Sequence, residues 1–137
     1  MIIKRRQFFS VSAGALISGY SGNICYAEET KHDSTVYFSA GSDLEEKHFF
    51  NGLSVSGNEK FSLTLPSRGH GTALRPNSPE VATFARRPGK YIFVVNTFSG
   101  EKLAQINSID GRHFYGHGVY SPDGLWLYAA ENEYESG

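Results

Sequence analysis

From Val36 onward, apolar residues fall in short runs separated by Gly, Pro, Asn and Ser, and no stretch carries a 3.6-residue period. Val36, Tyr37 and Phe38 open the series, and a second run passes from Lys47 through His48, Phe49 and Phe50 to Val55. Ser56-Gly57-Asn58-Glu59 reads as a turn, after which Phe61, Leu63 and Leu65 alternate with polar residues up to Pro66. That alternation predicts a strand buried on one face. The chain is therefore expected to be all-β.

The next interval holds a complete four-stranded unit, from Gly69 to about Asn107. Its expected strands are Thr72–Leu74, Val81–Arg86, Tyr91–Asn96 and Lys102–Ile106, with Leu103 and Ile106 as the buried positions of the outermost one. Pro76-Asn77-Ser78-Pro79, Pro88-Gly89 and Ser99-Gly100-Glu101 supply the turns, through the fixed φ of Pro and the conformational freedom of Gly. A linker over Ser108–Tyr115 leads to Val119-Tyr120, the turn Ser121-Pro122-Asp123-Gly124 and a strand over Leu125–Ala129.

The opening of the unit occurs twice. Gly69-His70-Gly71 returns as Gly116-His117-Gly118, 47 positions later, and Arg75-Pro76-Asn77 returns as Ser121-Pro122-Asp123 at an offset of 46. A period near ~40–45 residues with a Gly-His opening belongs to propeller blades. The expectation is a β-propeller fragment with about one complete four-stranded blade and two partial ones.

Residues 1–27 have a different character. Lys4, Arg5 and Arg6 precede an apolar stretch from Phe8 to Tyr20 without an acidic residue, and Cys25-Tyr26-Ala27 then gives way to Glu28-Glu29. This is export-signal architecture with cleavage expected after Ala27. The pair Arg5-Arg6 with Phe8 resembles a twin-arginine signal, although Lys4, Phe9 and Ser10 depart from its usual pattern; the general secretory route is the alternative. Ile24 before Cys25 argues against a lipoprotein, and the apolar stretch is short for a membrane span. The expected product is periplasmic, has met the twin-arginine machinery and keeps no stable membrane anchor.

Cleavage removes the single cysteine, so neither a disulfide nor a thiolate nucleophile remains. It also removes Lys4, Arg5 and Arg6 from the 13 basic residues while all 14 acidic ones stay, taking the formal charge from −1 to −4. No basic stripe suits nucleic acid. The stretch from Arg68 to Arg112, with Arg75, Arg86, Arg87, Lys90 and Lys102, is locally basic; solvated strand edges and an anion site both explain it.

His70, His113 and His117 are the candidate ligand or metal residues, since three imidazoles can hold a metal. Gly116 and Gly118 favour a loop at His117 over a helix. The equivalent positions of His70 and His117 support a structural role within the repeat, alongside Gly69, Gly71, Gly116 and Gly118. Asp123 and Gly124 read as turn residues. Glu131, Asn132, Glu133, Tyr134 and Glu135 form an oxygen-rich segment, either a hard-cation site or a solvated connection between blades. No nucleophile triad, phosphate loop or dinucleotide fingerprint is present, and no cofactor is firmly implied.

The segments Arg68-Gly69-His70-Gly71, Phe84-Ala85-Arg86-Arg87-Pro88-Gly89, Gly111–Gly118 and Glu131-Asn132-Glu133-Tyr134 resemble an uncharacterised bacterial family, the domain of unknown function numbered fifteen-thirteen. The resemblance implies a twin-arginine-exported periplasmic protein with WD40-like or YVTN-like propeller repeats. It also implies a gene neighbourhood shared with imelysin-type proteins of iron uptake, and hence an envelope partner. It carries over no catalytic residues. Members resemble propellers longer than this chain, so 28–137 is expected to be the N-terminal part of a truncated propeller. A binding or interaction module is the leading expectation, and a metal-dependent or redox-coupled enzyme using the histidines is the alternative.

Replacing Arg5 and Arg6 by lysine is expected to hold the protein in the cytoplasm, as read by cell fractionation, and the mass of the exported form is expected to begin at Glu28. Normal export of the double-lysine variant would point to the general secretory route.

Overall fold

The computed structural model describes Thr35 and residues 37–133. The expected signal with Arg5, Arg6, Phe8 and Ala27 lies outside the described residues, as do Val36, Tyr134 and Glu135. Among the described residues the fold is all-β, with nine strands in three open antiparallel sheets. β1 (Tyr37–Ser42), β2 (His48–Leu53) and β3 (Glu59–Leu65) form the first. β4 (Gly69–Leu74), β5 (Glu80–Ala85), β6 (Tyr91–Asn96) and β7 (Lys102–Asn107) form the second, paired in chain order, and β8 (Arg112–Tyr120) pairs with β9 (Leu127–Glu133) in the third.

The second sheet is the four-stranded unit expected from the turn residues. Asn96 closes its last hairpin by accepting the backbone N–H groups of Phe98 and Ser99 at 2.9 and 3.0 Å, while Gly100 takes φ 73°. Gly89 N–H donates to the Arg86 carbonyl at 2.7 Å to close the turn before β6. The apolar run from Tyr91 to Val95 is buried throughout because both faces of β5 and β6 are covered.

Alternation sorts the side chains of these two strands. Val81, Ala85, Tyr91, Phe93 and Val95 pack with Phe50, Phe61 and Leu65 of the first sheet, whereas Ala82, Phe84 and Ile92 pack with Phe114 of the third. Each fully buried apolar side chain of this size contributes roughly 1.5–3 kcal/mol. Tyr91 keeps its hydroxyl satisfied by donating to the Ser67 carbonyl at 2.7 Å, and burial pushes its pKa up to about 12. In the first sheet, Phe61 and Leu65 are buried and Leu63 is half-buried, following the alternation in the sequence. Phe38, Phe50 and Phe61 cluster there with centroids 5.9–6.4 Å apart.

Five expectations are corrected. Leu103 and Ile106 are 47% and 43% exposed, because β7 is an edge strand and the core formed with the other two sheets reaches only as far as β6. The expected linker over Ser108–Tyr115 shrinks, because β8 already begins at Arg112. His117 therefore lies in a strand and not a loop. The strand accommodates Gly116, at φ 89°, by a register irregularity between Phe114 and Gly118. Finally, Glu131 and Glu133 belong to β9, opposite Phe114 and Arg112, instead of a blade connection. The strand expected over Leu125–Ala129 starts at Leu127, since Leu125 and Trp126 complete the turn.

Phe84→Ala is expected to cost about 3–5 kcal/mol in urea denaturation, against less than about 0.5 kcal/mol for Leu103→Ala. Thr83→Val is expected to raise the midpoint, because the buried Thr83 Oγ1 has no hydrogen-bond partner among the described residues. Equal losses in the first two variants would contradict the edge position of β7.

Candidate functional site

His70 stands on β4 and His117 on β8, and the two strands lie side by side. Their imidazole rings meet edge to face with centroids 4.8 Å apart. The repeated glycines make this approach possible. A Cβ on Gly71 would lie 2.4 Å from the Gly116 carbonyl oxygen, and one on Gly116 would lie 2.7 Å from the His70 ring. On the far side, a Cβ on Gly118 would meet the Phe84 ring at 2.4 Å. The Gly-His-Gly repeat thus has a direct physical cause: each histidine is flanked by residues small enough for neighbouring strands to touch through their backbones.

The turn between β5 and β6 brings Arg86 and Arg87 to the same place, with a cis peptide between Arg87 and Pro88. With His70, His117 and Tyr115 they line a cleft of about 250 Å³. Arg87 donates from one terminal nitrogen to the Tyr115 hydroxyl at 2.7 Å, and its guanidinium carbon lies 5.1 Å from the centre of that ring. Tyr115 also stacks on His113, with centroids 6.0 Å apart.

Among the described residues, neither Arg86 nor Arg87 is paired with a carboxylate. Arg75 and Arg112 differ. Arg75 contacts Glu80 at 2.9 Å, and Arg112 contacts Glu133 at 3.2 Å and Glu131 at 3.4 Å. Hydrogen bonds to these partners, Glu80 and Glu133 foremost, push both guanidinium pKa values further up. Glu131 and Glu133 are thereby engaged with an arginine in a strand ladder. His113 is buried on β8, and among the described residues no three His, Cys, Asp or Glu side chains form a group able to hold a metal.

The second repeated element, the turn, also touches its counterpart. Arg75 Nε donates to the Gly124 carbonyl at 2.7 Å, and its guanidinium carbon lies 6.0 Å from the Tyr120 ring centre. Asp123 accepts the Leu125 N–H at 3.0 Å and the Ser121 hydroxyl. The Ser121 bond, followed by the Leu125 bond, holds the Asp123 carboxyl below its ordinary pKa. Gly124 at φ 72° completes the turn. A larger hollow of about 540 Å³ beside Phe38, Pro79 and Phe98 contains no charged side chain.

A family described as Protein of unknown function (DUF1513) has a model that matches residues 63–137, more than half of the chain. The chain belongs to this family. The DUF1513 match takes in β4–β9 and every residue of the cleft, so the histidine pair and both arginines fall within the matched part. No curated protein matches the chain.

The sequence places Arg86 and Arg87 in a basic stretch but does not separate them from the paired Arg75, because the carboxylates that distinguish them are set by strand register. Tyr115 was not singled out. Its spacing from His117 is the usable signal, since residues two apart in a strand share a face.

Gly116→Ala is expected to destabilise the protein by about 1–3 kcal/mol, through a non-glycine residue at positive φ, and to shift the His70 and His117 ring resonances in NMR spectra. Unchanged stability and unchanged ring signals would contradict the contact between β4 and β8.

Proposed function

We propose that the chain is an exported periplasmic protein, with 1–27 as a twin-arginine signal and 28–137 as the N-terminal part of a β-propeller, working as a non-catalytic binding module. The observation that carries this reading is the contact between corresponding elements of successive repeats. His70 meets His117, and Arg75 of one turn meets Gly124 of the next. The first strands of the three sheets support it further, because β1 neighbours β4 and β4 neighbours β8. Radial repetition of four-stranded sheets is the propeller plan, and it covers the faces of each sheet with the next. Such a plan gathers equivalent residues of successive blades at a common mouth, where the cleft of His70, His117 and Arg87 would lie.

The cleft supports holding a ligand over transforming one, since it presents hydrogen-bond donors without a nucleophile–base pair. The family resemblance makes an envelope protein of iron uptake the partner to look for. The alternative, a metal-dependent or redox-coupled enzyme, draws on the 4.8 Å approach of His70 and His117. Stoichiometric metal in the purified protein, lost in His117→Ala, would favour that alternative.

A photo-crosslinking phenylalanine analogue in place of Tyr115 is expected to give a discrete adduct with an envelope protein in intact cells, and the same analogue at Leu103 on β7 is expected to give none. Identical patterns from the two positions would overturn the module reading.

A further inference from the structure

The cleft beside the histidine pair is selective in the sign of charge it accepts. Its lining holds two guanidinium groups, one phenol and two imidazoles, with no carboxylate. A guanidinium has five N–H donors and no acceptor, and each imidazole offers at least one N–H. A hard cation, which takes oxygen ligands, would find only the phenol oxygen there. The chain as a whole carries more acidic than basic residues, yet Arg86 and Arg87 are adjacent, exposed and unmatched by a carboxylate among the described residues. Arg75 and Arg112 are paired with glutamates, whereas Arg68, exposed and likewise unmatched among the described residues, lies outside the cleft.

Tyr115 gives the second line of argument. Its hydroxyl accepts one Arg87 N–H at 2.7 Å, and its ring lies under the same guanidinium. That double contact orients a side chain that would otherwise sample many rotamers, while the remaining donors of Arg87 stay available. A planar, oriented guanidinium matches the two oxygens of a carboxylate or phosphate. The size of the cleft sets the third limit. About 250 Å³ is less than the ~300–1,000 Å³ of pockets for drug-sized ligands, so it suits a small anion or the anionic end of a longer molecule.

We infer that this cleft binds a compact oxyanion, a carboxylate or phosphate group, gripped by Arg86 and Arg87 with Tyr115 orienting Arg87 and the His70–His117 pair forming the facing wall. The assignment rests on the reading of the cleft as a binding site and names its ligand chemistry. Anion binding here adds charge-assisted hydrogen bonds at an exposed site, so it weakens as salt rises.

The test is a titration of the full chain with inorganic phosphate and, separately, with acetate, at millimolar concentrations and constant ionic strength, followed by NMR of backbone amides and arginine side-chain N–H groups. Saturable shifts confined to the cleft are expected in at least one series, and the series that saturates identifies the phosphate or carboxylate chemistry. Arg86→Gln and Arg87→Gln are each expected to weaken binding about 10-fold or more. Both side chains are exposed, so the amide spectrum of each variant should remain that of the folded chain. Lys47→Gln, the same loss of charge on the hairpin between β1 and β2, is expected to leave affinity within about twofold, as for a surface charge outside the site.

Failure of both anions to saturate, or equal binding by the wild type and both arginine variants, overturns the assignment. A Tyr115 adduct with an envelope protein alongside no anion binding would overturn the oxyanion assignment alone. Saturable anion binding without such an adduct would uphold the assignment and remove the protein-partner reading.

Discussion

The strand pair β5–β6 has two apolar faces, and the placement of the other sheets follows from the need to cover both. An amphipathic hairpin would have been content with one neighbour and water on its other side. Here Val81, Ala85, Phe93 and Val95 require the phenylalanines of β2 and β3, while Ala82, Phe84 and Ile92 require Phe114 of β8. Removing either neighbour would expose several large side chains at ~25 cal/mol per Å² of apolar surface. The three sheets are thus one cooperative packing problem, with the most apolar strand in its middle.

Covering a sheet on both faces sets how near the inner strands must come, and glycine decides whether they can. Gly71 and Gly116 let β4 and β8 meet at backbone distance, and that approach brings His70 and His117 into ring contact. The same approach carries Tyr115 to the turn after β5, where Arg87 is waiting. The cleft is a by-product of close packing that leaves its polar groups on the solvent side. Stability and the proposed binding therefore draw on the same few residues at the seam between the second and third sheets.

Charge is distributed with a similar economy. Arg75 ties the turn before β5 to the turn before β9, and Arg112 joins the two carboxylates of β9 to β8. These exposed or half-exposed pairs are worth little individually. Arg75 has a positional value besides, since its bond to Gly124 joins two turns that no strand ladder connects. Arg86 and Arg87 stand apart from this scheme, and unlike the equally unmatched Arg68 they line the cleft.

Local chemistry was enough to establish the all-β class, the second sheet with its four strands in order, the alternation of Phe61, Leu63 and Leu65, and the turn at Asp123-Gly124, because turn residues and period-two patterns act within a few positions of themselves. The repeat was legible for the same reason: identical local demands produced Gly-His-Gly twice. What the sequence could not disclose depends on partners far along the chain. Leu103 and Ile106 look apolar enough to be buried, but only the arrangement of neighbouring sheets leaves β7 at an edge. Gly116 and Gly118 suggest a loop, and only the pairing of β8 with β9 turns them into a bulged strand. Glu131 and Glu133 read as part of a connection until register places them in β9, with Arg112 opposite Glu133. The cleft is likewise a tertiary product, because residues 70, 87 and 117 share one surface only when backbone packing brings three separate elements together.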